Sequence, residues 1–421
     1  MAKATSSRSR RKHPSARDPA RKRPPERTRA KKSVAAAPTG KKRAALPDKQ
    51  LAEATRLAQQ GKIKQAFETA ENILADHPDH WRTLNFISTL FDQADHAEAA
   101  IAFAGRAIEH APDDAETRRV LTINLARSAD KANRPEAAIA ACREFLDLYE
   151  PSADILGILC NFYTRTRHFS DALKTADEGI ALFPDNPTLH HNRSAALLHL
   201  GRGEEAAEAF GKILRPYAGK PGDAPADVAA QYAPLAEGYD DNQLHQSYGR
   251  MMAQTIVKTV GATINKRLLD AGCGTGSLGA HIQAAHLVGI DLSPSMLAKA
   301  RDRSIYQELV EGDIAATMAK RTDRFDGIAA TVVLYHMADL APFFRQAARL
   351  LVPGGHLFFS TDPAPDSMDI GVSGPGEYAH SRAYVRRLAA ESGFAEIAVK
   401  VMAHRGNPGF WWALRRKGPS D

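Results

Sequence analysis

Between about Asp48 and Ala218 the chain reads as one helix after another, and the pattern repeats. Pro78 and Pro112 stand 34 residues apart and Pro151 and Pro184 stand 33 apart, while the 39-residue gap between Pro112 and Pro151 holds a small insertion near Ser128 to Arg134. Ala66, Ala100 and Ala172 each lie 12 residues before Pro78, Pro112 or Pro184, and Gly61 and Gly201 each lie five residues before an alanine, Ala66 or Ala206. Helices of a pair approach closely only where a small residue sits at the crossing. The spacing therefore predicts five helix pairs, the first starting near Asp48 and the last degenerate around Leu214-Arg215-Pro216. Each pair leaves an apolar face that only its neighbour can cover, so the pairs stack into a curved array with a concave groove.

From Arg267 onward the pattern changes to short apolar runs between helical stretches, as in a parallel sheet buried on both faces. Strands are expected at Arg267 to Leu269, Leu287 to Ile290, about Gln307 to Val310, Phe325 to about Leu334, His356 to Thr361, Ile397 to Val401 and Phe410 to Leu414. A helix is expected from Ser277 to Ala285, and the Asn407-Pro408-Gly409 turn is expected to join the last two strands as a reversed hairpin.

The first two of these strands frame the most specific chemistry. Gly272, Gly274 and Gly276 end the first strand and let backbone approach a ligand, and Asp291 closes the second, where a carboxylate can accept both hydroxyls of a ribose. Gly274-x-Gly276-x-x-Gly279 also fits the dinucleotide fingerprint GxGxxG, a weak match alone. Asp270, an acid before the first glycine, separates the two: it would repel a pyrophosphate and attract an amino group and a sulfonium. Here the sequence, LLDAGCGTG, resembles the class I S-adenosylmethionine-dependent methyltransferases, whose first motif has the form LDxGCGTG. The resemblance implies a Rossmann-like seven-stranded domain with S-adenosylmethionine as cofactor. It places Asp270 near the methionine amine, Gly272, Gly274 and Gly276 beneath the cofactor, Asp291 with Leu292 at the ribose, and Asp313 with Ile314 at the adenine. Leu351-Val352-Pro353-Gly354-Gly355 matches the family's LxPGG turn. An acid after a strand is also a common helix cap, the plainer role for Asp313.

The helical half resembles the tetratricopeptide repeat, whose period is about 34 residues. Together the halves are similar to bacterial proteins that fuse such repeats to a methyltransferase domain. That gives an α-solenoid at 48–218, a linker at 219–226 and a methyltransferase domain at 227–417. The same resemblance points to a Tyr-Asp leader at Tyr239-Asp240 and to Tyr378-Ala379-His380-Ser381-Arg382-Ala383-Tyr384, although Glu377 departs from the basic residue expected there.

Charge sets residues 1–45 apart. Residues 1–43 hold 16 of the 56 Lys and Arg and two of the 49 Asp and Glu, so the remainder is acidic, with 40 bases against 47 acids. A tail of Ser, Pro and Arg cannot bury enough surface to offset its chain entropy and is expected to be disordered. Such a tail attracts polyanions, RNA among them, or only solubilises the chain. No apolar run approaches the roughly 18 residues of a membrane span. With three cysteines and no apolar signal core, a cytoplasmic location is expected.

Methyl transfer to a hydroxyl or a protonated amine needs a base. His336, just past the fourth strand, and His380 are the candidates, and Tyr239, Tyr335, Tyr378 and Tyr384 are candidate substrate residues. No metal site is expected, His190, His191 and His199 being placed on solvated helix surface. TVVLYHM after strand four lacks the (D/N)PP(Y/F) tetrapeptide of base-amine methylation, and no cysteine stands there for attack on a pyrimidine. The acceptor stays open between a small molecule, a carrier-bound substrate and a protein. So does the division between an active enzyme whose repeats recruit a partner and a scaffold whose cofactor domain is regulatory or silent.

Overall fold

The computed structural model describes residues 45–219 and 227–418; the basic tail up to residue 44 and linker positions 220–226 lie outside the described residues. Five helix pairs stack first: α1 (Ala45–Gln59) with α2 (Ile63–Asp76), α3 (Trp81–Gln93) with α4 (Ala97–His110), α5 (Ala115–Lys131) with α6 (Pro135–Leu148), α7 (Ala153–Arg165) with α8 (Phe169–Leu182), and α9 (Pro187–His199) with the short α10 (Gly203–Gly211). Ala66, Ala100, Ala172 and Ala206 are fully buried at the crossings. A polar contact repeats with them: Ser88 donates to the Ala100 carbonyl and Ser194 to the Ala206 carbonyl, both at 2.8 Å, and the Cys160 thiol reaches the Ala172 carbonyl at 3.5 Å. The insertion near Ser128 extends α5 to 17 residues against 13 for α3, α7 and α9. The turn within each pair has a left-handed residue at the same place, Gly61, Asp95, Asn133, Arg167 and Gly201, of which only the glycines adopt it without steric cost.

After α10 the strand β1 (Arg215–Pro216) joins a ten-stranded sheet. α11 (Val228–Tyr232) and α12 (Gln243–Val260) precede the sheet's core. Its chain order is β2 (Arg267–Ala271), β3 (His286–Asp291), α13 (Pro294–Asp302), β4 (Glu308–Glu311), α14 (Ile314–Lys320), β5 (Phe325–Ala330), α15 (Ala341–Leu350), β6 (Leu351–Ala364), β7 (Ile370–Gly374), β8 (Glu377–Ser381), α16 (Arg382–Glu391), β9 (Phe394–His404) and β10 (Asn407–Arg416). Seven strands lie in the order β4-β3-β2-β5-β6-β10-β9, parallel except for β10, which runs antiparallel to both neighbours. Three more strands exceed the expected seven, because β6 outruns its partners. Its first part pairs with β10 up to Thr361, and Asp362, Pro363 and Ala364 pair with β8, to which β7 and then β1 add.

Three local expectations are corrected. The helix expected over Ser277 to Ala285 is a single 3₁₀ turn, Gly279–His281, since Gly276 and Gly279 interrupt it and the chain must reach β3 within a few residues. The fourth strand stops at Ala330, and a 3₁₀ turn, Leu334–His336, takes up its expected end. The last hairpin turns at Arg405-Gly406, both left-handed as a tight hairpin requires, while Asn407, Pro408 and Gly409 already belong to β10.

One face of the sheet packs Phe343, Phe344 and Leu350 of α15, Val385 and Leu388 of α16, and Met318 of α14 against Leu357, Phe359, Trp412 and Leu414. Ala207 of α10 is part of this same cluster. The last repeat helix lies close on the sheet because Gly203 meets Val401 and Gly211 meets Pro365, where an added Cβ would approach to 2.9 and 3.2 Å. Arg382 pairs with both carboxylate oxygens of Glu204 and lies 4.3 Å over the Phe410 ring. The contacts therefore cross the boundary expected at 218. Tyr248, Met252 and Ile256 of α12 cover the other face. Among the described residues no helix is long and apolar enough to cross a membrane.

Candidate cofactor and acceptor site

A cavity of about 730 Å³ opens at the carboxyl ends of β2, β3 and β5, the edge where open α/β sheets bind ligands. Asp270, Gly272, Gly274, Asp291, Leu292, Asp313, Ile314, Tyr239, Tyr335 and His336 line it. Gly276 faces away from it, against Tyr306. Tyr378, His380 and Tyr384 lie outside it. Tyr378 is buried edge-on to Tyr217, the His380 ring nitrogen Nε2 is bonded to the Ala338 carbonyl at 3.1 Å, and the Tyr384 hydroxyl bridges Leu340 N–H and Asp339 at 3.0 Å.

Asp291 is held at the end of β3 by two backbone donors, Gly274 N–H at 2.7 Å and Ser293 N–H at 2.9 Å. Burial raises its carboxyl, and these donors partly offset the rise. Gly272 has φ 79°, and a Cβ there would meet Val333 at 2.5 Å; Gly274 has φ 54° and open space beside it. A cradle with one packed glycine and one open one fits a ligand lying over Gly274. Asp270 is buried, accepts from the Tyr306 hydroxyl at 2.7 Å through Oδ2, and keeps Oδ1 without a partner. Burial pushes its carboxyl up to about 7. A buried carboxylate oxygen with no donor beside an open cradle fits a cationic amine. Asp313 caps α14 through Ala316 N–H at 2.8 Å while lining the cavity, so the capping and ligand-facing roles coincide.

The leader closes over this floor. Asp240 accepts from Thr275 and Gln246, both at 2.6 Å, and pairs with Arg303, which also bonds the Thr275 carbonyl at 2.7 Å. Tyr239 stacks on His245, and Glu237 pairs with Lys299.

Beyond the cradle the Tyr232 hydroxyl lies 2.5 Å from that of Tyr335 and 3.3 Å from Nε2 of His336. Arg405, at the tip of the β9–β10 hairpin, lies 3.7 Å over the Tyr335 ring and pairs with Asp362 and Glu377. Among the described residues it is the single Lys or Arg lining the cavity. Burial, with Arg405 adding to it, pushes the His336 imidazole down to about 4, and burial keeps both phenols protonated. Arg405 and Tyr306 have no motif around them that would single them out, and Tyr232 stands in the stretch leading into Tyr239-Asp240 without a signal of its own. Arg405-Gly406 carries a weak hairpin signal that Asn407-Pro408-Gly409 outweighs. Among the described residues no group of His, Cys, Asp and Glu is placed to hold a metal ion.

Residues 269–359 match the model of a methyltransferase domain, and residues 163–221 match that of a tetratricopeptide repeat. A ubiquinone biosynthesis O-methyltransferase of Alkalilimnicola ehrlichii is 33% identical over 129 residues, 29% of this chain and 49% of the relative. A malonyl-[acyl-carrier protein] O-methyltransferase of Pseudescherichia vulneris is 29% identical over 184 residues, 43% of this chain and 70% of the relative. The chain thus spans about half the length of the first of these relatives. Among solved structures, a 1,6-didemethyltoxoflavin-N1-methyltransferase of Burkholderia thailandensis is similar with a TM-score of 0.39 and 17% identity, covering 49% of this chain and 95% of that one. The chain joins a segment that matches the tetratricopeptide repeat to one that matches a methyltransferase domain.

Proposed function

We propose that this protein transfers a methyl group from S-adenosylmethionine to an acidic hydroxyl, such as a phenol or an enol, with His336 as the base and the repeats as the recruiting surface for a protein or a carrier-bound acceptor. The observation that carries the reading is the unpartnered Oδ1 of buried Asp270 beside the open cradle at Gly274, with Asp291 fixed across from it. When bound, the cofactor supplies an electrophilic methyl group on a sulfonium together with a neutral thioether leaving group. Asp270 would accept hydrogen bonds from the methionine ammonium and Asp291 from the ribose, with Leu292, Asp313 and Ile314 also lining the cavity.

The acceptor end supports the choice of hydroxyl. His336 is neutral at physiological pH and a weak base, so it is matched to a hydroxyl that is itself acidic rather than to an aliphatic alcohol or an ammonium. The acceptor's O–H bond breaks, its proton goes to Nε2 of His336, and its electron pair forms the new O–C bond. The Tyr232 and Tyr335 hydroxyls, held protonated and in contact with each other, the first also with Nε2 of His336, line the place of the oxygen, and the Arg405 guanidinium favours its developing negative charge. The closed leader keeps water from competing as an acceptor.

Calorimetry with S-adenosylhomocysteine, followed by label transfer from S-adenosylmethionine to a panel of phenols and enols, tests this. His336→Gln is expected to lower kcat by about 10² or more while the S-adenosylhomocysteine Kd stays unchanged. No binding by the wild type sinks the enzyme reading. Unchanged kcat in the variant removes His336 as the base.

A further inference from the structure

Three glycines around the cradle face something other than a ligand. A Cβ on Gly276 would lie 3.0 Å from Cε2 of Tyr306, one on Gly279 2.8 Å from its hydroxyl and 2.9 Å from Cζ, and one on Gly289 3.1 Å from Cδ1. The three come from the turn after β2, from the 3₁₀ turn beyond it and from the middle of β3, and all converge on one ring. At the end of that ring the hydroxyl donates to Oδ2 of Asp270 at 2.7 Å.

We infer that Tyr306 is the positioning residue for Asp270: its hydroxyl holds Oδ2, so that Oδ1 is left to accept from the ammonium of the bound cofactor, and its ring is seated among Gly276, Gly279 and Gly289, together with Arg303, Ile305, Leu309 and Cys273, which also crowd those glycines. The inference rests on the cofactor reading above. A carboxylate has two acceptor oxygens, so a donor on one fixes the plane of the group and leaves the other to accept, and a phenol that burial keeps protonated is a donor that is not lost to ionisation. The titratable groups facing Asp270 are Tyr306, Asp291 and Cys273. Asp291 disfavours its charge, the Cys273 thiol is held protonated by burial, and Tyr306 favours its charge.

The test uses the full-length protein and two ligands. S-adenosylhomocysteine carries the ammonium; 5′-methylthioadenosine keeps the adenosine and the sulfur but lacks the amino acid. Tyr306→Phe preserves the ring, and a thermal melt checks that it folds. Calorimetry is expected to show S-adenosylhomocysteine binding weakened roughly tenfold and methylthioadenosine binding unchanged. Asp270→Asn should produce a loss that is not additive with Tyr306→Phe. The sign of the pH effect is fixed. Removing the donor raises the Asp270 carboxyl further, so the pH at which S-adenosylhomocysteine affinity reaches half its maximum moves upward from about 7. Equal weakening of both ligands reduces Tyr306 to packing and overturns the inference, as does unchanged S-adenosylhomocysteine affinity. Failure of the wild type to bind either ligand overturns the cofactor reading and this inference with it.

Discussion

The repeat array and the sheet domain bury their cores by opposite means. In the array the crossings are alanines, the helices pack mainly on the same or the next pair, and the Ser88, Cys160 and Ser194 contacts recur at an identical spacing of 12 residues. In the sheet domain the core is Phe343, Phe344, Phe359 and Trp412, and residues far apart in the chain bond one another, as Tyr232 does with Tyr335 and Tyr248 with Gly406. A local, periodic part tolerates loss of a unit; a non-local part does not. The exception is α10, which is built like a repeat helix and packed like a domain helix.

Truncation should break this contrast most severely. Removing residues 45–110 leaves three pairs and the α10 contacts, and is expected to lower Tm by about 5 °C or less. Removing residues 45–218 strips Gly203 and Gly211 from Val401 and Pro365 and Ala207 from the cluster that holds Phe410, and is expected to abolish the cooperative melt, read by differential scanning calorimetry. Equal behaviour of the two truncations would show that α10 is only a repeat cap. The next effect lies within the sheet domain. Asp291→Ala removes the acceptor of two backbone N–H groups along with the proposed ribose contact, and S-adenosylhomocysteine Kd should rise by about 10² or more. The smallest effect lies in the array. Arg167 occupies, at φ 64°, the turn position that Gly61 and Gly201 fill without cost, so Arg167→Gly is expected to stabilise the protein by about 1 kcal/mol in urea titration. A destabilised variant would mean that the turn does not strain the arginine.

What was legible in the sequence follows the same division. The array was readable because its periodicity is a sequence property: Ala66, Ala100, Ala172 and Ala206 marked every crossing they occupy. In the sheet domain the cradle was readable because Asp270, the glycines and Asp291 lie within one short segment. The acceptor end was not. His336 could be placed by its position after a strand, but Tyr232 and Arg405 meet it across 104 and 69 residues of chain, and His380, which looked equivalent, points at the Ala338 carbonyl. Arg405 is aimed by backbone geometry that turn composition does not favour. The branch of the sheet was equally hidden, since nothing in Asp362-Pro363-Ala364 distinguishes a strand that changes partners from one that ends.

The ring of Tyr306 bears on how relatives of this chain can vary. Gly276, Gly279 and Gly289 are spaced by three and ten residues and look like separate features, yet all three are tied to one side chain. Only part of their history is coupled. A descendant that trades Tyr306 for a smaller residue eases the space beside all three, but the positive φ of Gly276, Ile305 beside Gly279, and Leu309 and Cys273 beside Gly289 still hold them small. A turn that reads as a ligand fingerprint is in part the imprint of a tyrosine, and the number of independent cofactor constraints it represents is smaller than the number of its glycines.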